Sequence, residues 1–351
     1  MPRNSWEVAQ EAIQLLGGRA GVSGYEQQLI PYLEKIFEPY DVELTNDFMN
    51  NCYITKKGFS TSETVMLAAH VDEIGLMVTH IDSRGFVHFQ TVGGIDERTL
   101  LNQEVIIHGH LDIKGIIGAN PARVEASKKS ISIDDLFIDI GYPSQAALEL
   151  VKPGDIISIN RNTSEMLNKR ITGKALDDRA GIAVLAVCIN ELSRLKHPHK
   201  VVAVATVQEE VGLRGATTSS DILEPELAVV IDVTHAQTLD TKNQVNTILG
   251  KGPVIALGPN IHPLTFAALK NAAEENRIPY QIQAVAGPTG TDARVIQLKG
   301  RGIPTGLLSI PLRYMHTSVE TASLQDIVDS GKLLAYYLSS LPDNLEEYSC
   351  Y

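Results

Sequence analysis

Four apolar runs of strand length each lead into a residue that can bind a metal, and no other feature limits the fold so strongly. Val65–Ala69 leads to His70, the mostly apolar Val201–Val207 to Glu209 and Glu210, Leu227–Ile231 to Asp232, and Leu307–Leu312 to the stretch ending in His316. A further acidic pair, Asp177 and Asp178, lies in Lys174–Gly181, where a helical pattern opens. Near-continuous apolar runs mark strands buried on both faces, and open α/β sheets gather ligand sites at the carboxyl ends of such strands. Two imidazoles and three carboxylates suit a pair of zinc-like divalent cations. An extra carboxylate beside them can serve as the base for a metal-activated water. The pattern points to a two-metal hydrolase.

Each piece alone has a plainer explanation. His70-Val71-Asp72 could be a surface His-x-Asp in a loop. Asp177 and Asp178 could be an N-cap and a first-turn acid complementing a helix dipole. Glu209 and Glu210 would face opposite ways in a regular strand. Both reach one site only if the strand ends there, and Gly212 permits such a turn. His235, three residues past Asp232, is a competing candidate. Four strands emptying into Asp, Glu or His, with an acidic helix start besides, are much harder to produce by chance. Within the set, Asp72 can accept a proton from the ring nitrogen of His70 not used for metal. One of the two glutamates can bind metal while the other handles protons. Two dications against three carboxylates leave one positive charge, which a bridging hydroxide neutralises in an enclosed pocket.

The pattern along the chain changes twice. Helical spacing covers Ser5–Leu16 and Glu26–Phe37, followed by strands at Tyr53–Lys56 and Val65–Ala69. From Gly75 to Asn162 short alternating segments take over: Leu76–Ile81, Gly85–Val92, Glu104–His108, Ile113–Ile117, Leu136–Ile140 and Asp155–Ile159, with a helix only at Ser144–Leu150. Helix and strand then alternate again, with helices at Asp178–Leu195, Pro263–Asn276 and Ser323–Ser339. The strands of this part are Val201–Val207, Leu227–Val233 and Leu307–Leu312. The simplest account is one α/β domain built from residues 1–74 and 163–351, interrupted by a small β-barrel or sandwich at 75–162.

Composition narrows the partners. At 351 residues the chain is long for one core, and a formal charge of −12 disfavours nucleic acid and anionic membranes, which reward a basic face. No stretch reaches the roughly 18 apolar residues of a membrane span. Met1–Gly18 reads as a helix rather than a signal peptide. Cys52, Cys188 and Cys350 form an odd, widely spaced set that fits a reduced cytoplasm better than a disulfide framework.

His70-Val71-Asp72, Leu176-Asp177-Asp178-Arg179, Thr206-Val207-Gln208-Glu209-Glu210-Val211-Gly212, Ile231-Asp232 and Tyr314-Met315-His316-Thr317 resemble the glutamyl and deblocking aminopeptidases, the cobalt- or zinc-dependent TET-type enzymes. Gly290-Thr291-Asp292-Ala293 and Gly302-Ile303-Pro304-Thr305-Gly306 look like motifs of the same family. The resemblance implies a mixed-sheet α/β/α domain carrying two divalent ions, Zn²⁺ or Co²⁺ and by extension Mn²⁺. One ion would be held by His70, Asp177 and Asp232, the other by Asp177, Glu210 and His316. It implies that Asp177 rather than Asp178 bridges, that Glu209 is general base and acid, and that Asp72 orients His70. A cis peptide at Asp177–Asp178 is part of the same expectation. So are peptide substrates with a free N-terminus, and dimers formed through the β-rich insertion that assemble into dodecamers.

Three other readings compete. Another co-catalytic zinc hydrolase, such as a dipeptidase, deacylase or carboxypeptidase, would share the metal architecture but needs a cation to bind a substrate carboxylate. A glycoside hydrolase, the label some relatives have carried, would leave His70, Asp232 and His316 without a task. With Trp6 as the single Trp and 5% aromatics, the chain also lacks an obvious sugar-stacking platform. A non-catalytic scaffold would need no Glu209 beside Glu210.

Overall fold

The apolar runs become neighbouring strands. In the computed structural model, which describes residues 3–59, 63–119, 131–239 and 246–349, the strands Lys200–Thr206, Thr64–His70, Leu227–His235 and Thr305–Arg313 lie side by side in that order, all parallel. Thr206 pairs with His70 and Asp232 with Ser309, so the polar ends of the runs collect at one edge of the sheet. Antiparallel strands flank this core. Cys52–Lys56 and Glu43–Asn46 extend one side, and Glu320–Ser323, Arg170–Gly173 and Ser164–Met166 the other. Val254–Leu257 and Gln281–Ala284 branch from Thr305–Arg313. The sheet is mixed, as the resemblance implied.

Helices cover both faces. Ser5–Leu16, Ile30–Phe37, Leu176–Leu192 and Leu324–Ser340 bury one apolar face of the sheet. Arg214–Leu223 and Ala293–Ile296 contribute Ala216, Ala293 and Ile296 to the core on the other. Every residue of Leu176–Leu192 is buried, because sheet and helices enclose it on all sides. Its lack of an amphipathic stripe follows from that position. Gly331 makes the close crossing of Leu324–Ser340 on this helix possible: a Cβ there would lie 2.5 Å from Val187 Cβ and 2.8 Å from the Val184 carbonyl oxygen.

The alternating segments close into a six-stranded barrel ordered Gly75–Ile81, Val87–Val92, Leu136–Asp139, Asp112–Ala119, Glu104–His108 and Ile156–Ile159. Leu76, Val78, Val105, Ile107, Ile117, Ile138 and Ile157 fill its interior, with Ser144–Leu150 packed alongside. Closure leaves no free edge within the barrel.

Some boundaries differ from the sequence expectation for identifiable reasons. The helix expected at Glu26–Phe37 is a 3₁₀ turn, Glu26–Leu29, followed by an α-helix, Ile30–Phe37, because Pro31 is accommodated only in a first helical turn. Gly85, at φ +97°, forms a turn with Asp82, so the next strand starts at Val87 rather than Gly85. The strand at Leu227 runs on to His235, placing Asp232 inside it and not at its end. Cys52 and Cys188 are buried free thiols, while Cys350 lies outside the described residues. Among the described residues no helix is long and apolar enough to cross a membrane.

Candidate metal centre

His70 is the last residue of its strand, and its Nε2 lies 3.1 Å from Asp177 Oδ1. The other oxygen, Asp177 Oδ2, lies 3.3 Å from His316 Nε2, which is also 3.3 Å from Glu210 Oε1. Asp177 therefore stands between two imidazoles and shows one oxygen to each. Asp178 turns away and accepts the Gly181 N–H at 3.1 Å, capping the regular part of its helix. The peptide between the two acids is cis, as the resemblance implied. Ligand atoms of His70, Asp177 and Asp232 lie within 4.8 Å of one another, as do those of Asp177, Glu210 and His316, and those of His70, Glu209 and Glu210. His235 is exposed and belongs to none of these groups.

Local backbone explains how adjacent acids share one site. The strand ends at Thr206, and Gln208 takes a left-handed φ of 55°, so the chain turns before Glu209 rather than at Gly212 alone. Asp72 then holds the turn: its Oδ1 accepts the Glu209 N–H at 3.1 Å and its Oδ2 the Glu210 N–H at 3.2 Å. Ser23 donates its hydroxyl to the same Oδ2 at 2.6 Å. For His70 Nδ1 the nearer acceptor is the Asp72 backbone carbonyl, at 3.2 Å, with the carboxylate at 3.5 Å. The grip of Asp72 on the Glu209–Glu210 backbone leaves no trace in spacing and was missed by sequence reasoning.

Two more contacts escaped the sequence. The Gly94 carbonyl, in the loop following a barrel strand, accepts from His316 Nδ1 at 2.6 Å, which directs Nε2 at the acids. Thr206 donates its hydroxyl to Asp292 Oδ2 at 2.6 Å, while Asp292 Oδ1 is buried without a partner. The resemblance had drawn attention to Asp292 without giving it a role.

The electrostatics describe a cluster short of positive charge. Burial, reinforced by Asp232, Asp292 and Glu210 and opposed by His70, pushes Glu209 up to about 10. Burial likewise holds Asp232 and Asp178 well above the usual carboxylate range. Asp177 goes the other way: hydrogen bonds from His316 and His70 overcome its burial and lower it. His316 rises to about 11 beside Asp177 and Glu210. Among the described residues no Lys or Arg pairs with Asp177, Glu209, Glu210 or Asp232, since Lys174 and Arg179 are paired with Glu73. Buried carboxylates crowded around two imidazoles are the environment that divalent cations neutralise. The donor set fits two ions.

A second hydrolase-like constellation is deceptive. His108 lies 2.8 Å from Asp112 Oδ1 through Nδ1 and 2.8 Å from Ser158 Oγ through Nε2, the order of a serine triad. Ser158 is 2% exposed inside a barrel strand, and the His108 ring packs against Tyr25 of the α/β domain. Its hydrogen bonds lie within the barrel, and the burial of Ser158 with the Tyr25 ring against His108 closes the group to a substrate.

The M42 glutamyl aminopeptidase family model matches residues 50–333. This chain belongs to the M42 family. It is 34% identical over 344 residues to the lysyl aminopeptidase of Pyrococcus furiosus, covering 96% of this chain and 97% of that protein. The structure of a TET aminopeptidase from a marine-sediment Thaumarchaeota archaeon superposes with a TM-score of 0.91 at 31% identity, covering 97% and 99% of the two chains. The Pyrococcus horikoshii TET1 peptidase, which can assemble into a tetrahedron or a large octahedral shell, matches at TM-score 0.83 and 32% identity over 95% and 100%. As an M42 member the chain is an aminopeptidase, a hydrolase acting as an exopeptidase, and the family is metal-dependent. This sets the glycosidase reading aside.

Proposed function

We propose that this M42 aminopeptidase removes N-terminal residues from peptides using two divalent ions. His70, Asp177 and Asp232 would hold one, and Asp177, Glu210 and His316 the other. The observation that carries this reading is Asp177, with one carboxylate oxygen toward each imidazole. Bound ions supply Lewis acidity and lower the pKa of water from 15.7 to about 7. Glu209, buried beside the ligand set, takes a proton from the attacking water and delivers it to the nitrogen of the departing peptide. Asp72 fixes the Glu209–Glu210 turn and lies behind His70, so the base and two ligands share one brace. The acidic surroundings favour a substrate's N-terminal ammonium. A nitrogen and oxygen donor set accepts Zn²⁺, Co²⁺ or Mn²⁺.

Chelation followed by restoration with single metals, assayed on aminoacyl-anilides, tests the reading. Activity should vanish and return. Acetylating the amine of a peptide substrate should cut cleavage sharply, while amidating its C-terminus should matter little. Full activity without metal sinks the two-ion mechanism, and the reverse substrate pattern favours a carboxypeptidase. The barrel-bearing insertion, residues 75–162, is read as the contact between subunits, supported by exposed Leu111, Ile116 and Leu148 on its surface. Dimers assembling into a dodecamer, acting in the cytoplasm, complete the proposal.

A further inference from the structure

Glu320 is 2% exposed, yet neither of its carboxylate oxygens pairs with a Lys or Arg among the described residues. Each accepts a backbone N–H instead: Oε2 from Asp177 at 3.0 Å and Oε1 from His316 at 2.9 Å. The two donors lie far apart in sequence, but the sheet explains their meeting. Glu320–Ser323 runs between Arg170–Gly173 and Thr305–Arg313, with Glu320 opposite Gly173 and Thr321 opposite Arg313. One neighbouring strand leads through Ala175, at φ 57°, to Asp177. The other leads through Tyr314, at φ 59°, to His316, at φ 60°. Both ligand-bearing turns thus leave the sheet on either side of Glu320. Their N–H groups have departed from regular helix and ladder bonding, so each needs another acceptor.

We propose that Glu320 is a positioning residue that sets the metal affinity of the site by locking the Asp177 turn against the His316 turn. This rests on the two-ion reading. Asp177 and His316 belong to the same ligand triplet with Glu210, so their relative placement decides whether both can reach one ion. A glutamate is suited to this task. Gln offers one acceptor oxygen and points an NH₂ at the other donor, and Asp is one methylene too short to span both turns. Asp72 holds the Glu209 and Glu210 amides in the same manner, so the backbone of four candidate residues hangs from two buried carboxylates.

The test is Zn²⁺ binding by the full-length assembled protein, titrated against a competing chromophoric chelator. Wild type should take two ions per subunit. Glu320→Gln and Glu320→Asp should weaken the more affected ion about 10–100-fold, the scale of lost outer-shell partners. Activity of Glu320→Gln should recover toward wild type as Zn²⁺ is raised, with KM for peptide little changed. Wild type binding two ions and Glu320→Gln binding them equally tightly overturns the positioning role and leaves the two-ion reading intact. Wild type that takes up no metal overturns both. Should the variants fail to fold, amide exchange in wild type decides: slow exchange at Asp177 and His316 supports the clamp, and exchange at open-loop rates overturns it.

Discussion

On the proposed roles, Glu209 transfers protons while its neighbours bind metal, so single side chains can separate the two tasks. Glu209→Gln keeps the shape and the backbone contacts to Asp72 while removing the proposed base. It should retain metal and fold but lower turnover about 10²-fold or more. His316→Ala and Asp232→Ala should instead lower metal occupancy, measured by elemental analysis of the dialysed protein. Loss of metal with normal turnover per loaded site in Glu209→Gln would reverse the roles of Glu209 and Glu210. Glu26 gives a second residue-scale prediction. Its Oε1 accepts the Gly24 and Gln208 N–H groups, but burial outweighs these donors and pushes the carboxyl up to about 7. A folded-state pKa above the unfolded value of about 4.3 means the folded chain holds the proton longer, so stability falls as pH rises from about 5 to 8. Glu26→Gln should flatten that fall. Urea midpoints at pH 5 and 8, at fixed protein concentration, check it, and parallel losses in both proteins would discard the assignment. Most of the candidate ligands were legible because they carry donor chemistry just past an apolar run of sequence, and Asp177 because its acidic pair opens a helical pattern. Glu320 and the Gly94 carbonyl were not, since their contribution is an acceptor placed by tertiary structure, for which no residue type or spacing is diagnostic.

Helix packing makes a prediction whose sign has to be decided by magnitudes. Replacing a helical glycine with alanine ordinarily gains about 0.5–1 kcal/mol. At Gly331 the new methyl would sit 2.8 Å from the Val184 carbonyl, part of a buried helix backbone that cannot move aside easily. Overpacking of this sort costs about 1–3 kcal/mol, so Gly331→Ala should destabilise, and Gly331→Val more strongly. A lower urea midpoint with unchanged slope is the expected result; a raised midpoint for Gly331→Ala would show that the helices separate freely. The long helices and central strands were legible because burial imposes a period on ten or more residues, or an unbroken apolar run. Glu43–Asn46, Ser164–Met166, Arg170–Gly173 and Glu320–Ser323 were not. They span three or four mixed residues, and neighbours already in place hold them in the sheet. Glu320 stands on one of them, so an unseen strand hid a candidate positioning residue.

At the scale of the whole molecule, the change of texture at Gly75 and the return to helix after Asn162 made an inserted β unit legible. Barrel closure was not, because strand order depends on pairing across the whole insertion. Closure also decides how the barrel can associate. The barrel has no open edge to be covered by a partner, so association through it must come from side chains, of which Leu111, Ile116 and Leu148 stand exposed. Each subunit also brings a charge of −12, and like charges oppose assembly over distances set by the Debye length, about 8 Å at physiological salt and about 30 Å at 0.01 M. Apolar contact is short-ranged and little screened, whereas the repulsion grows as salt is removed. Light scattering should therefore report a dodecamer at physiological ionic strength and a shift toward dimers as salt is lowered. A stable dimer at every salt concentration would retain the barrel contact and remove the shell. A monomer at micromolar concentration would refute association altogether, leaving the exposed apolar residues of the barrel without a partner.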